Sequence, residues 1–249
     1  MEGLDLAVPA DAPAMARLRE AFLQYHVLVF PGQGHLRPEE QVVFAARWGE
    51  LHRMDSGIHL DGHPEILELN AAGGKPVTDR WHSDMSMAEC PPMATLLLAR
   101  HVPVGGDTIF ANQYLAYDGL SDGYKAVLSG LRALHCGDNF ANDSGYDAAS
   151  LPRNLHPVVR THPETGRKAL YVSLEYARNF EDMTVEESEP LLKWLCAHCV
   201  QPNFTIRHQW TAGDLVMWDN RCLQHYAVAD YGASPRIMHR ITIVGDRPH

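Results

Sequence analysis

The sequence predicts a mainly β protein, an antiparallel sandwich or barrel flanked by helices. Two observations carry this. Short strand-like stretches outnumber helical ones, and the helical stretches cluster early and late instead of alternating with strands as a parallel α/β fold requires. A third concerns extent: the chain has 249 residues, with no repeat, low-complexity tract or linker to divide it. All-β folds commonly use that length for one domain, so a single domain over residues 1–249 is expected.

Along the chain, Met15, Leu18, Phe22 and Leu23 recur at helical spacing and predict a helix from Asp11 to Tyr25. "HVLVF" is a short buried strand closed by the turn "PGQG". "PEEQVVFAARWGE" opens with a proline and two acids, as helix N-termini do, and Gly49 is its expected stop. "EILELN" alternates as a strand. "MATLLLARHV" and "DTIFAN" are two strands joined by "PVGG", and "QYLAYDGLSDGYKAVLSGL" is one helix or a pair. The polar stretch from Cys136 to Asn154 is expected to be a loop or lid. "HPVVRTH" and "RKALYVS" flank the hairpin signal "PETG". "TVEESEPLLKWLCAHCV" is a helix with Thr184 as N-cap and Glu187 three residues on. "FTIRHQW", "DLVMWDN" and "RIMHRITIV" are the closing strands.

Composition narrows the function. A formal net charge of -10 with no basic block argues against nucleic acid, although local arginines can still receive a small anion. No apolar run is long enough for a membrane span, and the first residues lack the pattern of a secretory signal. Five cysteines do not suit a disulfide framework, and Cys196 and Cys199 share one face of a helix, where burial is the plain account. The cytoplasm is the expected compartment.

Chemistry enters at "WHSDMSM". His82 and Asp84 are two apart, so in an extended segment they point the same way and can share one metal ion. The spacing alone is weak. "HLD" at His59 repeats it, and "HPE" at His63 and His162 comes close, all three in turn-like surroundings. A third ligand must come from elsewhere, and on spacing His101, His135, His208 and His225 are all eligible. His225 is distinguished by its neighbourhood. Arg236 and Arg240 follow it on one face of an apolar strand, an arrangement explained either by an edge strand in water or by a bound dianion. Two histidines and one carboxylate form the facial triad of non-haem Fe(II) oxygenases, which keeps open positions opposite the protein ligands.

The combination "WHSD", "GGDT", "WDNR..QH" and "RIMHR", in that order, resembles the taurine dioxygenase and 2,4-dichlorophenoxyacetate dioxygenase family across nearly the whole chain. The resemblance implies a double-stranded β-helix, or jelly-roll, core and an Fe(II)- and 2-oxoglutarate-dependent oxygenase that consumes O2 and releases succinate and CO2. It implies His82, Asp84 and His225 as iron ligands. Thr108 and Arg236 would hold 2-oxoglutarate, and Arg240 the anionic group of a small substrate. Tyr176 falls where the family places an aromatic near the substrate, and Thr78 where the taurine enzymes have an asparagine. Met54 and Gly57 replace the histidine and tyrosine that the taurine enzymes present to the sulfonate, so a different anion (another sulfonate, a sulfate ester or a carboxylate) is expected. The family usually has a further strand before "LDL", and its members associate as dimers or tetramers. An amino-acid or secondary-metabolite hydroxylase, whose product stays intact, is the alternative within the class; a non-catalytic metal-binding jelly-roll protein is the alternative outside it.

Overall fold

The computed structural model describes residues 1, 3–53, 59–71, 79–144 and 147–249. With strands and helices numbered in chain order, its largest sheet has six strands in the order β1 (Val27–Phe30), β12 (Leu215–Asp219), β4 (Ala94–His101), β14 (Ile237–Ile243), β3 (His63–Asn70) and β2 (His59–Leu60). A second sheet runs β11 (Thr205–His208), β5 (Thr108–Asn112), β13 (Leu223–Ala227). A third runs β10 (Ala177–Phe180), β6 (Arg132–Cys136), β7 (Arg153–Pro157), and β8 (Val159–Thr161) with β9 (Lys168–Leu170) forms a hairpin. Every strand pair in these sheets is antiparallel. The protein is mainly β, as the sequence predicts.

The period-two alternation of the six-stranded sheet separates two cores. Leu96, Leu98, Leu215, Met217, Ile241 and Ile243 face α1 (Ala12–Tyr25) and α2 (Pro38–Ala46), packing on Phe22, Phe44 and Trp48. Their neighbours Leu97, Ala99, Val216, Trp218 and Met238 face the opposite way and meet Phe110 and Leu223 of the second sheet. Arg236 and Arg240 have the parity of Met238, so the pleat sends both toward the space between the two sheets. A third core joins the third sheet to α6 (Val185–Cys199) through Leu128, Phe180, Leu192 and Leu195, with Cys196 and Cys199 buried as free thiols.

Helix ends follow local chemistry. The Asp11 carboxylate accepts from the Ala14 N–H at the start of α1, and a Thr184–Glu187 capping box opens α6. The helical stretch after β5 is a pair, α3 (Gln113–Asp118) and α4 (Asp122–Leu128).

Four expectations need correction. The segment from Cys136 to Asn154 is not a plain loop: it includes the end of β6, α5 (Asp138–Ser144) and the start of β7. Its polar composition hid this, because the strand ends pair within the third sheet and not by an apolar pattern. His63 opens β3 instead of sitting in a turn, although Asp61 and Gly62 do turn between β2 and β3. Residues 223–227 form a strand that the mixed pattern "LQHYA" did not announce. Finally, β14 is not an edge strand, since β4 and β3 pair with it on either side, so Arg236 and Arg240 do not extend into water from a free edge.

Candidate metal centre and anion cleft

His82 and His225 form an antiparallel bridge in which each backbone N–H donates to the other's carbonyl, at 3.1 and 2.8 Å. Ser83 Oγ donates to Leu223 O at 2.7 Å, so the segment carrying His82 and Asp84 is stitched alongside β13. The imidazole rings lie 4.1 Å apart between centroids. Asp84 Oδ1 is 3.7 Å from Nε2 of each histidine. All three residues are buried, and one ligand atom from each lies within 4.8 Å of the others.

The surrounding bonds set which atoms are free. His82 Nδ1 is 2.8 Å from Arg80 O, an acceptor, so Nδ1 carries the proton and Nε2 offers its lone pair to the site. Thr95 Oγ1 donates to Asp84 Oδ2 at 2.6 Å, leaving Oδ1 to face the histidines. Asn220 ties this together: its Nδ2 donates to Thr95 Oγ1 and its Oδ1 accepts from Asp84 N–H and Trp218 Nε1. Burial by itself raises the Asp84 carboxyl, but Arg240, then His225 and His82, hold it well below the usual range. Burial, then His82, pushes the His225 imidazole down to about 3, so it is neutral and able to ligate. Two imidazole nitrogens and one carboxylate oxygen suit a divalent metal of the Fe(II) type.

The triad opens into a cleft that is also lined by Leu69, Leu97, Thr108, Trp218, Arg236 and Arg240. Arg236 is buried with its Nε–H unpartnered, and its guanidinium lies 5.8 Å from the Trp210 ring. Trp210 Nε1 donates to Thr108 Oγ1 at 3.0 Å, which joins Arg236 and Thr108 in one pocket. Arg240 reaches Asp84 Oδ1 at 2.9 Å and keeps an unpartnered buried Nε. The Tyr176 ring is 6.2 Å from His82, beside the cleft and not on its wall. Thr78, Met54 and Gly57 lie outside the described residues.

The other candidate histidines are elsewhere. His101 is exposed at the end of β4, His135 bonds Ser86 Oγ, and His208 sits 3.4 Å from Asp214. A second buried group, His162, Asp219 and Cys222, also has clustered ligand atoms. Its bonds are already committed. Arg221 grips both oxygens of Asp219, at 2.9 and 2.7 Å. His162 Nδ1 accepts from the N–H groups of Glu164 and Thr165, which leaves Nε2 protonated to donate to Asp219. That set is an ion-pair brace under the β12–β13 turn. It also explains the second "HPE", whose histidine does serve a turn.

Thr95, Asn220 and Trp210 were not among the residues expected from sequence. Thr95 had a signal, as the lone hydroxyl in the apolar run "MATLLLA". Trp210 had none, since an aromatic strand residue is ordinarily core.

A buried cluster of two histidines and one carboxylate, with one side open to a cleft that holds Arg240 and the ion-pair-free Arg236, defines a metal-dependent enzyme site. Comparison with known proteins identifies the kind. The family described as "Taurine catabolism dioxygenase TauD, TfdA family" matches residues 1–242, and the chain belongs to it. An alpha-ketoglutarate-dependent sulfate ester dioxygenase of Pseudomonas putida is 33% identical over 262 residues, covering 100% of this chain and 86% of that protein. An (S)-phenoxypropionate/alpha-ketoglutarate-dioxygenase of Sphingobium herbicidovorans is 36% identical, covering 98% and 90%. The crystal structure of AAD-2 in complex with Mn(II) and N-oxalylglycine superposes with a TM-score of 0.86 at 34% identity, covering 99% of this chain and 93% of that one. The chain is thus an enzyme, a 2-oxoglutarate-dependent dioxygenase. Among the described residues no helix is long and apolar enough to cross a membrane.

Proposed function

We propose that this enzyme uses Fe(II), 2-oxoglutarate and O2 to hydroxylate a small anionic substrate, a sulfonate, sulfate ester or carboxylate. Residues 1–249 would act as one domain with a double-stranded β-helix core. The observation that carries the reading is the convergence of His82, Asp84 and His225 with the buried, ion-pair-free Arg236 in one cleft. Buried arginines are costly without a counter-charge, so an anion is the expected occupant.

In this reading His82 Nε2, Asp84 Oδ1 and His225 would hold the iron. Arg236 forms the two-pronged contact with the far carboxylate of 2-oxoglutarate and Thr108 adds a hydroxyl, fixing the co-substrate's direction as well as its affinity. Iron with 2-oxoglutarate supplies the oxidising power that couples decarboxylation of the co-substrate to hydroxylation of a C–H bond. One atom of O2 enters that bond, the other enters succinate, and CO2 leaves. Arg240 receives the substrate's anionic group, with Tyr176 on the substrate side. Leu69, Leu97 and Trp218 exclude water from the reacting carbon. Where that carbon bears a sulfonate or an ester or ether oxygen, the hydroxylated product collapses to an aldehyde or ketone and a leaving group. The sulfate ester and phenoxypropionate relatives support such substrates.

Two measurements test this. Fe(II) and 2-oxoglutarate added without oxygen should give a visible charge-transfer band, and the band should disappear in His225→Ala. Succinate release across sulfonates, alkyl sulfates, aryloxy acids and amino acids should then identify the substrate class. An iron-loaded protein with no band would sink the proposal.

A further inference from the structure

A threonine hydroxyl can donate one hydrogen bond and accept two, so its neighbours decide which way its proton points. Thr108 is buried and lines the cleft. It opens β5, the middle strand of the second sheet, where His208 of β11 pairs with it on one side and Ala227 of β13 on the other. That pairing fixes its backbone but leaves the hydroxyl free to turn. The group that reaches the hydroxyl is Trp210, two residues beyond His208, whose Nε1–H donates to Thr108 Oγ1 at 3.0 Å. Among the described residues this is the one hydrogen bond that Oγ1 makes. The indole is itself held in place. Trp210 is buried in the core between the six-stranded and second sheets, with the His208 ring edge-on at 4.7 Å.

An indole N–H is a donor only. It occupies a lone pair of Oγ1, so the O–H proton must leave in another direction, and the bond received makes that O–H a stronger donor. We propose that Trp210 is a positioning residue for the co-substrate: its N–H commits the Thr108 hydroxyl to donate into the cleft, where a carboxylate then meets a proton and not a lone pair. Arg236 lines the same cleft, so a guanidinium and a hydroxyl both donate there, which suits an end group that only accepts. The Arg236 guanidinium is 5.8 Å from the Trp210 ring, at the outer edge of a cation–π contact, so the N–H and not the ring face is the stronger tie. The inference rests on the reading that Thr108 and Arg236 bind the far carboxylate of 2-oxoglutarate.

The test uses the full chain and reads 2-oxoglutarate dissociation from the anaerobic Fe(II) band, together with steady-state kcat and KM. Trp210→Phe keeps an aromatic ring and removes the N–H. Trp210→His gives up the larger ring but sets an imidazole Nε2–H where the indole Nε1–H stands, and at about pH 8 that imidazole is neutral. Trp210→Phe should raise Kd and KM for 2-oxoglutarate about fivefold, with kcat held within about twofold and iron affinity unchanged. Trp210→His should stay within about twofold of wild type in Kd. A packing role would give the reverse order, since the His substitution removes more apolar contact than the Phe substitution. Thr108→Val should weaken 2-oxoglutarate about tenfold, and adding Trp210→Phe to it should change Kd by less than about twofold. Unchanged affinity in Trp210→Phe, binding in Trp210→His no tighter than in Trp210→Phe, or a full further loss in the double variant would each overturn the role of Trp210. Unchanged affinity in Thr108→Val would instead overturn the co-substrate reading of Thr108 beneath it.

Discussion

Asp84 has two oxygens with different duties, and Thr95 makes the difference. The hydroxyl at 2.6 Å from Oδ2 fixes the carboxylate plane, so Oδ1 is the atom presented to both histidines. Thr95 in turn accepts from Asn220, which also takes the Asp84 N–H, so the carboxylate cannot rotate without breaking a closed ring of bonds. Thr95→Val keeps the shape and removes the hydroxyl. Metal affinity in this variant, measured by Fe(II) or Mn(II) titration, should fall about ten- to a hundredfold, the usual effect of losing a bond to a ligand. An affinity equal to wild type would show that the hydroxyl does not orient the ligand. Recognising the H-x-D pair required only the sequence. Recognising Thr95 as its partner required knowing that residue 95 faces the triad.

At the scale of elements, the helices hold the sheets while staying away from the chemistry. The capping box of α6 illustrates the division: Thr184 Oγ1 accepts from Glu187 N–H at 3.2 Å and the Glu187 carboxylate accepts from Thr184 N–H at 2.9 Å. Thr184→Ala should cost about 1 kcal/mol of stability. Thermal unfolding should record a lower Tm while kcat stays at the wild-type value, because α6 packs on the third sheet and not on the cleft. The caps, the β8–β9 hairpin and the apolar strands were legible because they depend on residues close in sequence. β13 was not. "LQHYA" has no clean alternation, and it becomes a strand because β5 pairs with it and the segment at His82 bridges to it.

For the whole molecule, the buried histidines set how stability responds to acid. Burial, the largest influence on each, holds His26 down to about 4 and His135 to about 3. Both stay neutral in the folded protein, whereas in the unfolded chain they protonate near pH 6.5. Their contribution is therefore fully present above pH 6.5 and is lost as pH falls from there toward 4 and 3. Each adds a slope of about 1.4 kcal/mol per pH unit within its window. Urea unfolding between pH 7 and pH 4 should show this decline beginning above the carboxylate range, and His135→Gln should flatten it. A decline that starts only near pH 4, or one that His135→Gln leaves as steep, would contradict the assignment.

What the sequence determined by itself is what short-range pattern can encode: the strand-rich class, most helix ends, the buried Cys196–Cys199 face, and the order of motifs that resembles one family. It also put Arg236 and Arg240 on a shared strand face. The tertiary structure alone decided that this strand lies inside a sheet, that Asp84 and His225 meet across 140 intervening residues, and that Thr95 and Trp210 stand behind the residues the motifs name. The reason is physical. A motif specifies which groups can act, whereas their distances, burial and unpaired atoms arise only when distant strands pair and close a cleft around them.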